Sequence, residues 1–237
     1  LVELNCSNNK LNEFPDISAT SITCLDCSHN KLEIVKCLPV SLERLNCSYN
    51  LVKALYLNYS ERLSYVDCSH NNLTSLPEDL ISYHINYLDC SNNKLTSLPK
   101  LSKSVRSLYI NQNNLTDLPQ LPKYLAYLDC SSNNIEKLPE TLPRALYYFD
   151  CSENMISKIP DLPDTLSTLY CYNNKLTTLP KFPCSLAYVN CSDNNLTQLP
   201  HLEYPLHTFL YDNNIIAPKD SNDFLTEYNY KFVEQEK

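Results

Sequence analysis

Glycine is absent from this chain of 237 residues, tryptophan is absent as well, and methionine occurs once. Without glycine, the loops that let a backbone wrap a phosphate are not available in their usual form. This excludes the Rossmann and P-loop classes and argues against glycine-dependent tight turns. No stretch approaches the roughly 20 apolar residues of a membrane-spanning helix, and no charged-then-apolar secretory segment opens the chain, which reads as soluble. Histidine is scarce, with five copies scattered along the sequence. No nucleophile, base and orienting group recur at a usable spacing, so neither an enzyme nor a cofactor site is expected. What is present is 43% hydrophobic residues against 19% charged, enough to bury a continuous core.

The order of the chain comes from repetition. A string Leu-x-x-Leu-x-Cys-Ser-x-Asn-x-Leu recurs from end to end, anchored at its sixth position by Cys6, Cys27, Cys47, Cys68, Cys90, Ile110, Cys130, Cys151, Cys171, Cys191 and Tyr211, with 20 to 22 residues between anchors. Three residues after every anchor stands an asparagine, from Asn9 to Asn214 without exception. Positions 4 and 6 are apolar and two apart, so on an extended strand both face inward while positions 3 and 5 face outward. Eleven repeats in one direction predict eleven parallel strands, a concave sheet roughly 50 Å long at about 4.8 Å per strand. The asparagine amide, donor and acceptor at once, is suited to tie successive turns together.

Leu-Pro pairs mark the return segment, as at Leu76-Pro77, Leu98-Pro99, Leu118-Pro119, Leu138-Pro139, Leu179-Pro180 and Leu199-Pro200. Second prolines follow at Pro122, Pro143, Pro163 and Pro183. Proline fixes φ and removes a donor, so the convex side is expected to be extended or polyproline-like, with little helix. Repeats 2 and 3 carry Val35-Lys36 and Leu55-Tyr56 in place of the pair, and an irregular convex wall is expected there. The solenoid is assigned to residues 1–216. Residues 217–237 are expected to form a helical cap, with Phe224, Leu225, Tyr228 and Phe232 on one face and Asp220 or Ser221 at its start. Leu1, Leu4 and Leu11 have no such cover, which predicts residues upstream or a neighbouring chain.

Segments such as Leu118 to Leu128 and Leu179 to Val189 resemble the shortest, proline-marked class of leucine-rich repeats, an α/β-class solenoid that in this form is mostly β. That class is typical of bacterial effectors secreted into host cells, including the substrate-binding arms of one ubiquitin-ligase family, and related arrays occur in amoebae and their giant viruses. The sequence departs from the class at position 6, where Cys stands in place of Val or Leu in nine of eleven repeats. The resemblance implies a protein-interaction module. A substrate-recognition arm of a larger enzyme and a structural or virion-surface protein are its alternatives.

Nine of the 12 cysteines are the inward anchors and read as small core hydrophobes rather than metal ligands. Side by side on parallel strands, their β-carbons run at about the strand spacing, beyond the roughly 3.8 Å a bridge prefers. Reduced thiols and an intracellular, reducing compartment are therefore expected, the cytoplasm or that of a host cell. Cys24 and Cys27 face opposite sides of one strand, so their C-x-x-C spacing holds no metal, and Cys24 is expected to be the most accessible thiol.

Function is sought on the outward positions 2, 3, 5, 7 and 8. They collect ten acids, among them Asp67, Asp89, Asp129 and Asp150, against Arg44 and Arg106, and so carry the whole net charge of −8. A tyrosine column runs beside the acids at position 3 through Tyr65, Tyr87, Tyr127, Tyr148 and Tyr188, with Tyr109 and Tyr170 offset to position 5. Tyrosine offers large amphipathic area at low entropic cost. This face is expected to bind a protein with a basic or polar surface and no nucleic acid, which the sign of its charge disfavours. Oligomeric state is not encoded in these features.

Overall fold

The computed structural model describes residues 1–57 and 61–216. Within them, three-residue strands occupy positions 3 to 5 of every repeat, from Glu3–Asn5 to Thr208–Leu210. They pair in chain order as one parallel sheet of 11 strands, so the repeats are numbered below as rows 1 to 11. The register is strict: Tyr65 lies beside Tyr87, Val66 beside Leu88 and Asp67 beside Asp89. Each strand sends its middle residue into the core, where Leu45, Val66, Leu108, Phe149 and Leu169 are fully enclosed, as are the anchors from Cys27 to Cys171.

Behind the sheet the asparagines form the expected ladder. Asn113 shows its chemistry: Nδ2 donates to the carbonyls of Ile110 and Asn111 in its own row and of Cys90 in the row before, while Oδ1 accepts the N–H of Leu95. The same link back to the preceding row recurs from Asn30 to Asn214.

The convex side is extended, with a single 3-10 turn at Glu78–Ser82 among the described residues. The second proline opens a tight turn that returns the chain to the sheet: the N–H of Leu125, Leu146, Leu166 and Leu186 donates to the carbonyl of the proline three residues earlier. Rows 2 and 3 are not irregular but more regular than their neighbours, for Ile34–Val35 and Ala54–Leu55 pair as a second parallel sheet. The reason is the missing proline. Tyr56 keeps the N–H that a proline lacks and donates it to Val35.

Tight turns are made despite the absence of glycine. At position 8 of each row a non-glycine residue takes positive φ of 52 to 56°, from Asn8 through Tyr49, Gln112 and Glu153 to Asn213. The expectation that such turns are unavailable is thus corrected: main-chain bonds to the rows on either side hold the residue in the left-handed region, as where Gln112 donates its N–H to the Ser131 carbonyl and accepts the Asn93 N–H. For side chains other than Asn and Asp that region costs roughly 1 kcal/mol or more. Gln112→Gly is therefore expected to raise stability by about 1 kcal/mol and Gln112→Val to lower it by at least as much. Urea denaturation measures both, and two unchanged midpoints would show that φ is not a constraint there.

At the N-terminal edge Leu1 is 82% exposed, and Leu4, Cys6, Leu11 and Phe14 are only partly buried. The cap expected over residues 217–237 lies outside the described residues.

Candidate functional site

Positions 3 and 5 form two adjacent columns on the concave face. In position 3 the order by row is Glu3, Cys24, Arg44, Tyr65, Tyr87, Ser107, Tyr127, Tyr148, Thr168, Tyr188 and Thr208. In position 5, Asp67 and Asp89 are followed by Tyr109, then Asp129 and Asp150 by Tyr170. All eleven residues expected at the site (Tyr65, Asp67, Tyr87, Asp89, Tyr109, Tyr127, Asp129, Tyr148, Asp150, Tyr170 and Tyr188) stand on this one surface. Tyr127 and Tyr188 are exposed there and the rest half-buried.

The rings touch in runs. Tyr65 stacks on Tyr87 with centroids 4.4 Å apart, and Tyr87 leans onto Tyr109 at 5.4 Å. Tyr127 and Tyr148 stack at 6.4 Å, and Tyr148 meets Tyr170 edge-on at 5.9 Å. The guanidinium of Arg44 lies over the ring of Tyr65 at 4.2 Å. Tyr147, at outward position 2, packs on Tyr127 and is half exposed. It was missing from the expected set, although the repeat spacing alone places it on this face. A stack of His29, Tyr49 and His70 at position 8, with centroids 4.3 and 4.0 Å apart, was also unforeseen, because ring stacking between rows depends on rotamers.

The acids are less free than charge counting implied. Oδ1 of Asp67, Asp89, Asp129 and Asp150 accepts both the N–H and the hydroxyl of the serine two residues on. This is an Asx turn, and it buries the serine: Ser69, Ser91 and Ser152 at position 7 face inward, not outward as expected. The partial burial of Asp89 and Asp129 raises their pKa, and Asp150 is pushed up to about 6, chiefly by desolvation and further by Asp129 and Glu153. Burial and these carboxylates likewise raise the Tyr87 and Tyr148 hydroxyls, which stay protonated donors.

The titration has a sign. A carboxyl that binds its proton more tightly when folded contributes stability that is full below its unfolded pKa and is lost as pH rises through the folded one. For Asp150 this loss falls between about pH 4 and 6 and is on the order of 2 kcal/mol after allowance for its partial exposure. Asn46 already holds the same bonds to Ser48 that Asp150 holds to Ser152. Asp150→Asn is therefore expected to fold, to be more stable at pH 7, and to flatten the slope between pH 4 and 6. A mutant with the wild-type pH profile would place the titration elsewhere.

The anchors behave as core thiols. Burial pushes Cys27 and Cys191 up to about 12 and Cys130 well above the ordinary thiol range, which keeps them from acting as nucleophiles. Cys24 is half-buried, and the exposed cysteine is Cys184, so the order of accessibility expected from strand position alone is reversed. Groups of three or more metal-binding side chains are absent among the described residues.

A family model described as Leucine Rich Repeat matches residues 62–83. No curated protein matches the sequence. Among solved structures, the chain is similar to YopM from Yersinia enterocolitica at 30% identity and TM-score 0.62, over 90% of this chain and 56% of that one. It is similar to the functional domain of InlJ from Listeria monocytogenes, described as including a cysteine ladder, at 27% identity and TM-score 0.78, over 90% of this chain and 54% of that one. The LRR domain of a Shigella effector shares 33% identity at TM-score 0.54, over 57% of this chain and 62% of that one. The chain thus spans little over half the length of the first two.

Proposed function

From the premise that this chain is a leucine-rich-repeat solenoid, a fold typical of protein-interaction modules, we propose that it binds a protein partner on its concave face. The observation that carries this reading is the pairing of half-exposed and exposed tyrosines at position 3 with carboxylates at position 5 in the middle rows of the sheet, Tyr65 and Tyr87 beside Asp67 and Asp89, and Tyr127 and Tyr148 beside Asp129 and Asp150. Tyrosine is enriched at interface hot spots, and carboxylates beside it add electrostatic complementarity to a basic partner. The partner presents a basic or polar surface. No catalytic step is assigned to the chain, and its free thiols, eight of them enclosed anchors, favour a reducing compartment such as the cytoplasm. Its similarity to an effector LRR domain favours, as a second reading, the recognition arm of a larger effector.

The test uses whichever protein co-purifies. Truncating Tyr87, Tyr127 or Tyr148 to alanine is expected to weaken its binding by about 2 kcal/mol for each hot spot. Asp89→Asn and Asp129→Asn, which preserve the Asx turns, are expected to slow association and reduce its dependence on salt. The exposed convex changes Lys137→Ala and Lys158→Ala serve as the comparison. Equal losses from both faces, or none from the concave one, would overturn the proposal.

A further inference from the structure

The tyrosine column begins after Arg44 and is interrupted at two places three rows apart, so that non-tyrosine residues recur every third row from row 3. Position 3 is Arg44 in row 3, Ser107 in row 6 and Thr168 in row 9, with tyrosine in the two rows that follow each of the first two and in the row after the third. In row 3, at the start of the column, the chain lays its own Arg44 guanidinium over the first ring, Tyr65, at 4.2 Å. At the two interruptions the side chain is a small hydroxyl, so the rings on either side stand on strands about 10 Å apart, two sheet spacings. The neighbouring position 5 closes each gap with a third ring, Tyr109 beside Ser107 and Tyr170 beside Thr168. Row 6 is thus bordered by Tyr87, Tyr109 and Tyr127, with Asp89 and Asp129 on the two sides of Tyr109.

We propose that rows 6 and 9 receive two arginine side chains of the partner, a reading that rests on the concave face being the binding surface. The chain's own Arg44 over Tyr65 shows that a guanidinium fits against the column, and this planar, weakly hydrated group is suited to stack on a ring while its edge donates to neighbouring carboxylates. The two receptors are three strands apart, about 14 Å, which an extended segment spans with arginines four residues apart. Row 6 has two flanking carboxylates and row 9 has Asp150 opposite the neutral Asn190, so row 6 binds the more tightly.

The test is fluorescence anisotropy of the full chain with labelled twelve-residue glycine–serine peptides. Arginines four residues apart are expected to bind at least about tenfold more tightly than citrulline at the same places, and more tightly than lysine or than arginines two apart. Ser107→Tyr, which continues the column and fills the gap, is expected to weaken the arginine peptide about tenfold, and Thr168→Tyr less. Tyr109→Ala, which removes a wall instead, is expected to weaken it comparably and guards against a packing fault in the filled variant. Equal binding of arginine, lysine and citrulline peptides, or indifference to both row 6 changes, would overturn the receptors. If the co-purified partner still depends on Tyr87 and Tyr127 in that case, the concave-face reading survives and only the arginine assignment falls. If the partner is also indifferent to those tyrosines, both fall.

Discussion

Replacing Asn113 by alanine is expected to destabilise the chain by about 3 to 5 kcal/mol, several times the effect of an average surface change. The side chain is 8% exposed and makes four hydrogen bonds, three from Nδ2 to backbone carbonyls and one from the Leu95 N–H to Oδ1. Alanine leaves all four backbone partners without a side-chain partner, and each buried polar group so abandoned costs roughly 1 to 3 kcal/mol. Two of those partners, Cys90 and Leu95, belong to the preceding row, so the loss weakens the joint between rows 5 and 6 as well as the turn itself. In a solenoid each row contacts only its neighbours, and a weakened joint lets the two halves unfold separately. Urea denaturation followed by circular dichroism is expected to show a lower midpoint and a broadened or two-step transition. Asparagine to aspartate separates donor from acceptor, since it keeps the Leu95 bond but loses the three donations. A loss below about 1 kcal/mol in the alanine variant would mean that water replaces the ladder without cost.

Phe149→Ala is expected to cost about 3 to 5 kcal/mol by a different route. Phe149 is the largest fully enclosed side chain among the described residues, in the middle residue of its strand between Leu128 and Leu169. Nine of the other ten rows, including both neighbours, place Leu or Val there, so the adjacent rows offer no second ring at this position to fill the space left behind. The change breaks no hydrogen bond, which makes it a clean measure of packing against the polar effect at Asn113. Phe149→Leu restores the size used by the adjacent rows and is expected to recover more than half of the loss. Equal losses for Ala and Leu would indicate that the layer has already relaxed around the smaller residue.

The fold was legible because its determinants repeat with a fixed spacing. Alternation at positions 4 and 6 sets the strand, the asparagine sets the turn, and a proline without an N–H sets the open convex side. Rows 2 and 3 show the limit of that reasoning, since the missing proline was visible but the sheet that its absence permits was not. At the site, membership of the concave face could be read from the spacing, yet the state of the acids could not be read from charge alone. The Asp-Cys-Ser string was itself a signal for the Asx turn that half-buries Asp67, Asp89, Asp129 and Asp150. Arg44 on Tyr65, and the stack of His29, Tyr49 and His70, depend on which rotamer each side chain takes, which no spacing encodes.

The left-handed residue at position 8 has an evolutionary consequence. Glycine would relieve each of the six places not held by Asn or Asp by about 1 kcal/mol, so together they forgo stability on the order of the lower end of an ordinary domain's net free energy. A repeated core can carry that deficit because every added row contributes another enclosed layer. In return the rim keeps a side chain in every row, and Asn, His, Tyr, Gln, Ser, Glu and Asp have all been admitted there on the same backbone. Since the turn's bonds to the next row are made by main-chain groups, that rim can change its chemistry one residue at a time without disturbing the array beneath it. It is a second surface along which such a protein can drift toward new contacts while the concave sheet stays as it is.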